Sequence, residues 1–403
     1  MIPFSPPRID QKIIDEVVDT LQSGWWTTGP KTKLFEQRLT DYCGNKKTFC
    51  VSSATAGLEL MLRWFGVKEG DEVIVPAYTY TATANVVMHC GATPVMADVD
   101  DDFNISLAEI KRLITDKTKV IMPVDIAGMS CDYDEIIQMA KDNSGLFLPS
   151  TDVQKKLGRI LILSDSAHSI GGEYKGQKTG SVTDIAVFSF HAVKNLATAE
   201  GGGIALNLPE AFDHDELYKY LNTVSLHGQS KDALAKTQKG GWRYDVIEPG
   251  YKCNMTDIQA SIGLVELERY ESDTLKRRKE IFERYSAGLS QYDWAQVPIA
   301  ETTDKKSSYH IYMLRLKDFK EAQRDEVIQG IFDQEVSVNV HFQPLPLLTA
   351  YKSKGYKMEN YPKAFDNYQR EITLPMYYTL TNGQIDTVIK AVVESVEKIL
   401  VSQ

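Results

Sequence analysis

One stretch of this 403-residue chain concentrates groups able to do chemistry: Phe188-Ser189-Phe190-His191-Ala192-Val193-Lys194-Asn195-Leu196. A glycine-rich segment, Glu200-Gly201-Gly202-Gly203, follows it. Upstream, Leu163-Ser164-Asp165-Ser166-Ala167-His168 sets a carboxylate at the end of an apolar run. Lys194 comes 29 residues after Asp165, beyond a second apolar run and a turn containing Ser and His. An amine can form an imine with an aldehyde, and a carboxylate can keep a ring nitrogen protonated. Hydroxyls and backbone N–H groups can hold a phosphate. Pyridoxal phosphate requires this set of parts. A lysine amine of ordinary pKa, ~10.4, is scarce as a free base at neutral pH. Imine formation and partial desolvation would release it. Taken singly, Lys194 reads as a solvated loop lysine and Asp165 as a carboxylate capping a loop.

The elements that must position these groups alternate. Short apolar runs at Val73–Val75, Val95–Ala97, Val120–Met122, Ile160–Leu163, Ala186–Phe188 and Ile204–Leu206 read as strands. Between them lie helical spacings such as Leu58, Met61, Leu62 and Phe65. That alternation predicts a mostly parallel sheet covered by helices, an α/β fold. An opening helix carries Ile9, Ile13, Val17 and Leu21 on one side. After Gly250 a long helical stretch carries Ile258, Ile262 and Val265 on one face. Strands are expected near Ile311–Leu316 and Ser337–His341. A closing helix starts at a Thr381/Gln384 capping box, and Ile385, Val388, Ile389, Val392, Val396 and Ile399 form its apolar stripe. The expected division is a large domain over 1–250, with the opening helix, and a smaller α+β domain over 251–403.

Composition narrows the function classes. Apolar residues make up 43% and charged residues 25%, enough to bury a sizeable core. Forty-five basic against 55 acidic residues leave a net charge of −10, with no basic stripe or tail, so neither nucleic acid nor an anionic membrane is expected as partner. No signal peptide and no apolar run of about 18 residues is visible, so no membrane helix is expected. Five widely spaced cysteines without a C-x-x-C pattern fit reduced thiols in a cytoplasm rather than a zinc or iron–sulfur site. No metal is expected. Gly201-Gly202-Gly203 does not make a dinucleotide loop, because no G-x-G-x-x-G precedes a helix with an acidic residue beyond it.

Several motifs in order resemble one family. They are Gly24-Trp25-Trp26-Thr27-Thr28-Gly29-Pro30, Ser52-Ser53-Ala54-Thr55-Ala56-Gly57-Leu58, Pro76-Ala77-Tyr78-Thr79-Tyr80-Thr81-Ala82-Thr83, Asp165-Ser166-Ala167-His168, the Lys194 stretch, Asn254-Met255-Thr256-Asp257-Ile258-Gln259-Ala260 and Ser308-Tyr309-His310-Ile311-Tyr312. Together they resemble the sugar-nucleotide aminotransferases of the DegT/DnrJ type over nearly the whole chain. The resemblance implies the aspartate aminotransferase fold, that is PLP fold type I, with a seven-stranded sheet. It implies Lys194 as the Schiff-base lysine, Asp165 against the pyridine nitrogen and His168 near the ring hydroxyl. Ala54, Thr55 and Ser189 would hold the phosphate, the first two at a helix start. The family often has Gly where this chain has Ala54, a change that a backbone contact survives unless φ must be positive. Tyr80 would stack on the cofactor ring. Asn254 would reach the phosphate of a neighbouring subunit. The commoner family motif reads Asn-Tyr-Arg-Met against Lys252-Cys253-Asn254-Met255 here, so Asn254 and Lys252 both stay open for that contact. Thr27, Thr28, His310, Tyr312 and His341 fall in segments that meet substrate. His227-Gly228, after a helix, is ambiguous.

The implied reaction moves the amino group of L-glutamate, through pyridoxal and pyridoxamine phosphate in turn, to a nucleotide-linked keto sugar. A UDP- or dTDP-linked 4-keto-6-deoxyhexose on a route to polysaccharide is favoured, in a homodimer with shared sites. A keto-cyclitol or 3-keto sugar is the alternative substrate. A pyridoxamine-phosphate-dependent sugar dehydratase would carry His in place of Lys194. A non-catalytic sugar-nucleotide-binding relative would be expected to lack Lys194 or Asp165.

Overall fold

The apolar runs form the middle of one sheet in the computed structural model, which describes residues 1–230 and 243–401. Its strands are β1 (Lys47–Val51), β2 (Glu72–Pro76), β3 (Thr93–Ala97), β4 (Thr118–Ile121), β5 (Leu161–Asp165), β6 (Ile185–Ser189) and β7 (Gly202–Leu206). They lie in the order β1-β7-β6-β5-β4-β2-β3. Only β7 runs against its neighbours; the other six are parallel. β4, β5 and β6 are buried throughout, as a sheet covered on both faces requires. β1 is not among the apolar runs named above, although Phe49, Cys50 and Val51 are all buried.

The helices have local causes. α1 (Gln11–Ser23) starts where the Asp10 carboxylate accepts from the Ile13 N–H at 3.2 Å, and it ends at Gly24 with φ +73°. α2 (Pro30–Cys43) has proline in its first turn and no cap of its own. A distant carboxylate serves instead: buried Asp257 accepts from the N–H groups of Gly29, Lys31 and Thr32 and from the Thr32 hydroxyl, at 2.6–3.0 Å. α3 (Ala54–Phe65) is capped by Ser53. α4 (Thr81–His89) follows Tyr80.

After residue 250 come α5 (Asp257–Glu268), with a complete Thr256/Gln259 capping box, and α6 (Lys276–Leu289). A small antiparallel sheet follows, in the order β8 (Ala295–Gln296), β9 (Tyr312–Leu316), β10 (Glu371–Leu374). α7 (Glu321–Phe332) and α8 (Asn382–Val401) pack on each other. The Thr381/Gln384 capping box of α8 is made, and Ile385, Val388, Val392 and Val396 are buried. One buried cluster joins Phe35, Leu39 and Phe190 to Leu264, Ile281, Leu314 and Val392, so the core is continuous across residue 250. Among the described residues no helix is long and apolar enough to cross a membrane.

Three expectations change. α5 is buried on most sides, wedged between α1 and α2, with Ile258 and Ile262 only half-buried. Gly263 lets it meet the Phe35 ring, which a Cβ would approach to 2.6 Å. On the opening helix, Ile13 is buried but Ile9 (72% exposed) and Leu21 (42%) are not. Ser337–His341 is extended without being a strand: only Val336 and Asn339 make single bridges, to Ile2 and Thr373. Groups other than a neighbouring strand take the backbone of His341. The Glu371 carboxylate accepts its N–H at 3.0 Å, and the Tyr78 hydroxyl donates to its carbonyl at 2.6 Å.

Candidate active site

The carboxyl ends of the parallel strands meet at one cavity of about 480 Å³, where open α/β sheets place their ligands. Four strands deliver the groups of interest. β1 leads to Ser53, Ala54 and Thr55, β2 to Thr79 and Tyr80, β5 to Asp165 and His168, β6 to Ser189 and Lys194. At the start of α3, Ser53 Oγ takes the Ala56 N–H at 3.1 Å. That leaves the first-turn N–H groups of Ala54 and Thr55 at the cavity wall, with the positive end of the helix dipole behind them. Ala54 has no positive φ, so a side chain costs nothing there. β7 explains the glycine run. A Cβ on Gly202 would come within 2.6 Å of the Ala54 nitrogen, so the reversed strand lies flush against the helix start.

Burial governs the charges. Asp165 is 6% exposed; Thr83 Oγ1 donates to its Oδ2 at 2.8 Å and the Ala167 N–H to its Oδ1 at 3.3 Å. Burial raises its pKa, against those two donors and the nearby Lys194 charge. Lys194 is half-buried as a residue, but its amine is crowded by protein and burial pushes it down to about 8, with Asp165 pulling the other way. It makes no ion pair among the described residues, and no other Lys or Arg lines the cavity. Behind Asp165, buried Asp125 accepts from Ser166, Ser169 and Tyr133 and fixes the loop that carries Asp165 and His168.

The opposite wall comes from residues after 300. The rings of His168 and His310 lie 4.4 Å apart, and Phe342 stacks on His168. His310 Nδ1 bonds Asn195 Oδ1 at 2.8 Å, and His341 Nδ1 bonds Thr373 Oγ1 at 3.0 Å. Burial holds His168 and His310 far below the ordinary histidine range and His341 down to about 4, so all three rings are neutral at pH 7. His168 Nδ1 is buried without a partner.

The family model of the DegT/DnrJ/EryC1/StrS aminotransferase family matches residues 7–393. The chain belongs to that family. The spore coat polysaccharide biosynthesis protein SpsC of Bacillus subtilis is 38% identical, covering 97% of this chain and 96% of its own. Spr1654 of Streptococcus pneumoniae, provisionally a sugar aminotransferase, has a solved pyridoxamine-phosphate form. It superposes with a TM-score of 0.96 at 49% identity, covering 99% of this chain and 100% of its own. PseC of Helicobacter pylori, an aminotransferase involved in the biosynthesis of pseudoaminic acid, gives a TM-score of 0.86 at 26% identity, over 98% and 99%. The enzyme is therefore an aminotransferase of the pyridoxal-phosphate type, built on PLP fold type I.

The aminotransferase cavity suits that cofactor on its own evidence. It holds an amine without an ion partner, a deep carboxylate, an orphaned buried imidazole nitrogen and an open helix start. Ala54, Thr55, Tyr80, Asp165, His168, Ser189, Lys194, His310 and His341 all line it. Thr27, Thr28 and Tyr312 do not, and Asn254, expected at a neighbouring subunit's phosphate, also lies outside it. Tyr312 is fully buried, its ring against Phe282 and Tyr285 and its hydroxyl 3.1 Å from Ser286, so it belongs to the core. Thr27 is exposed; its carbonyl accepts from the Asp257 N–H. Thr28 and Asn254 bond each other at 2.7 Å, and Lys252 donates to Asn254, in a cluster outside the cavity. His227 sits at φ +65° in a turn, its N–H on the Tyr251 carbonyl. Sequence reasoning passes over Thr83, Asn195 and Phe342. Thr83 lies inside a quoted motif, and Phe342 follows His341 directly.

Proposed function

We propose that the enzyme moves the amino group of L-glutamate to a nucleotide-linked keto sugar, favouring a UDP- or dTDP-linked 4-keto-6-deoxyhexose, for polysaccharide or glycoconjugate synthesis. The observation that carries it is the convergence of Lys194, Asp165 and His168 beside the start of α3, in a cavity roomy enough for a cofactor and a substrate group. Kinship with SpsC and PseC supports the sugar end of this reading.

Bound pyridoxal phosphate would supply an aldehyde to carry the amino group and a ring to take up electrons from the adjoining carbon. In this reading Lys194 Nζ would hold the cofactor and, when free, would serve as the base for the amino acid Cα proton. A burial-depressed pKa suits it to that work near neutrality. Asp165, oriented by Thr83, would pair with the ring nitrogen of the bound cofactor. His168 Nδ1 has hydrogen-bonding capacity to spare for the ring oxygen. Ala54, Thr55 and Ser189 hold the phosphate, and Tyr80 covers the ring. His310 and His341 meet substrate. One site serving two substrates in turn implies ping-pong kinetics.

The same reading makes the enzyme a homodimer. Exposed Ile14, Val18 and Leu21 leave an apolar face on α1, and in this reading Asn254 or Lys252, hydrogen-bonded to each other, reaches the phosphate of the neighbouring subunit. A cytoplasmic site suits five buried, unpaired thiols. Purified protein should be yellow, lose that band with glutamate, and regain it with the correct keto-sugar nucleotide. Product NMR identifies the sugar. A colourless reconstituted protein, or a band indifferent to glutamate, overturns the reading.

A further inference from the structure

The wall formed after residue 300 contains a hydrogen-bonded line from a buried carboxylate to the cavity. Glu371 on β10 is fully buried. Its Oε2 accepts the backbone N–H of His341 at 3.0 Å, and its Oε1 lies 2.5 Å from Thr373 Oγ1. Thr373 Oγ1 in turn lies 3.0 Å from His341 Nδ1. Tyr78 holds the His341 carbonyl at 2.6 Å, and the Phe4 ring stacks on the imidazole at 5.6 Å. Backbone and ring are thus fixed, and one ring atom, Nε2, is left for the cavity.

The hydroxyl of Thr373 can point only one way at a time. When Glu371 is ionised, Thr373 donates to it and accepts from His341 Nδ1–H, so Nε2 is bare. When Glu371 carries a proton, it donates to Thr373, whose hydroxyl then donates to Nδ1. The imidazole proton now sits on Nε2. Both states leave the ring neutral, and they differ by one proton, which enters from water.

We propose that Glu371 is a positioning residue that sets the face His341 turns to the cavity. With its proton, His341 offers an N–H to an anionic substrate group; without it, His341 offers a lone pair that repels one. Resting on the donor reading above, the group recognised is a carboxylate of the amino donor.

The charges around the line agree. Burial pushes Glu371 up to about 8, against Arg315 on β9 and Arg324 on α7, whose guanidinium also donates to the Glu371 carbonyl. Tyr78 faces it from the loop after β2. On the cavity side, Lys194 opposes any charge on His341, which neighbours His168 and His310. The donor form of His341 therefore prevails below pH about 8 and is lost above it.

Glutarate, which is glutamate without its amino group, tests this on the holoenzyme by calorimetry between pH 6.5 and 9.5. The wild type should bind with flat affinity at low pH and weaken by roughly tenfold per pH unit above about 8. Glu371→Gln should keep low-pH affinity and lose the break, because its amide donates to Thr373 as the protonated acid does while its oxygen still accepts from His341. Thr373→Val should weaken binding at low pH, and Thr373→Ser should restore both affinity and break. A break that persists in Glu371→Gln, from Lys194 or elsewhere, overturns the inference alone. Glutarate that fails to bind the yellow wild-type enzyme overturns the donor reading with it.

Discussion

The two walls of the cavity are built on different principles. The wall from residues 53 to 201 is the edge of a parallel sheet. Parallel strands end at a common edge, so Asp165, Ser189 and Lys194, which end or follow β5 and β6, face one space by construction. The wall from residues 310 to 373 has no such rule. It consists of loops held by side chains: His310 by Asn195, and His341 by Glu371, Thr373 and Tyr78. The first wall carries the reacting groups. The second supplies neutral, orientable hydrogen-bonding groups. The comparison teaches that chemistry sits where topology guarantees position, and selectivity where individual contacts set it.

Mutations on the two walls should therefore differ in kind. Lys194→Ala should lower transamination by on the order of 10³-fold or more and abolish the adduct trapped by borohydride, read by mass spectrometry. An adduct that survives would move the chemistry off the first wall. Asp165→Asn should still take up cofactor, with turnover down roughly 10²-fold or more. Near-normal steady-state turnover would remove it from the ring nitrogen. The Lys194 amine, lowered to about 8 by burial, predicts a pH effect. Below that value it is protonated and unreactive, so cofactor uptake by the apoenzyme should speed up by roughly tenfold per pH unit and level off above about 8, measured by stopped-flow absorbance.

The second wall should respond more mildly. His310→Phe removes the bond to Asn195 and should raise KM for one substrate by about 2–12-fold, with a smaller change in kcat. Equal losses in kcat and kcat/KM would place His310 among the reacting groups instead. Tyr312→Phe gives the smallest effect. It deletes one 3.1 Å bond to Ser286 in the core, so turnover should stay within about twofold and unfolding free energy should fall by ~1 kcal/mol or less. A large kinetic defect there would break the division between the walls.

The same contrast explains what the amino-acid sequence discloses. Asp165 and Lys194 are legible because each follows a buried run, and a parallel sheet leaves little choice about where such ends meet. Tyr312 misleads because β9 begins only at Tyr312, so His310 lies in the loop before it, where strand alternation does not hold. His310 then turns to the cavity and Tyr312 to the core, although two-residue spacing places them on one face. Ser337–His341 alternates like a strand, yet only Asn339 bridges to a strand residue, and His341 is held by a carboxylate and a phenol remote in sequence. Glu371 is invisible for the same reason: a glutamate at the start of an apolar run reads as solvated until the structure shows what surrounds it.

The carboxylate that caps α2 bears on how the chain is made. The first turn of that helix leaves its N–H groups unmet until Asp257 arrives, and Asp257 lies 225 residues beyond Thr32. At ~5–20 residues per second, the ribosome needs roughly ten to forty-five seconds to supply it. For that interval the nascent N-terminal helices would lack the anchor that docks them. The newborn polypeptide must therefore wait, or be shielded, until its synthesis has passed Asp257.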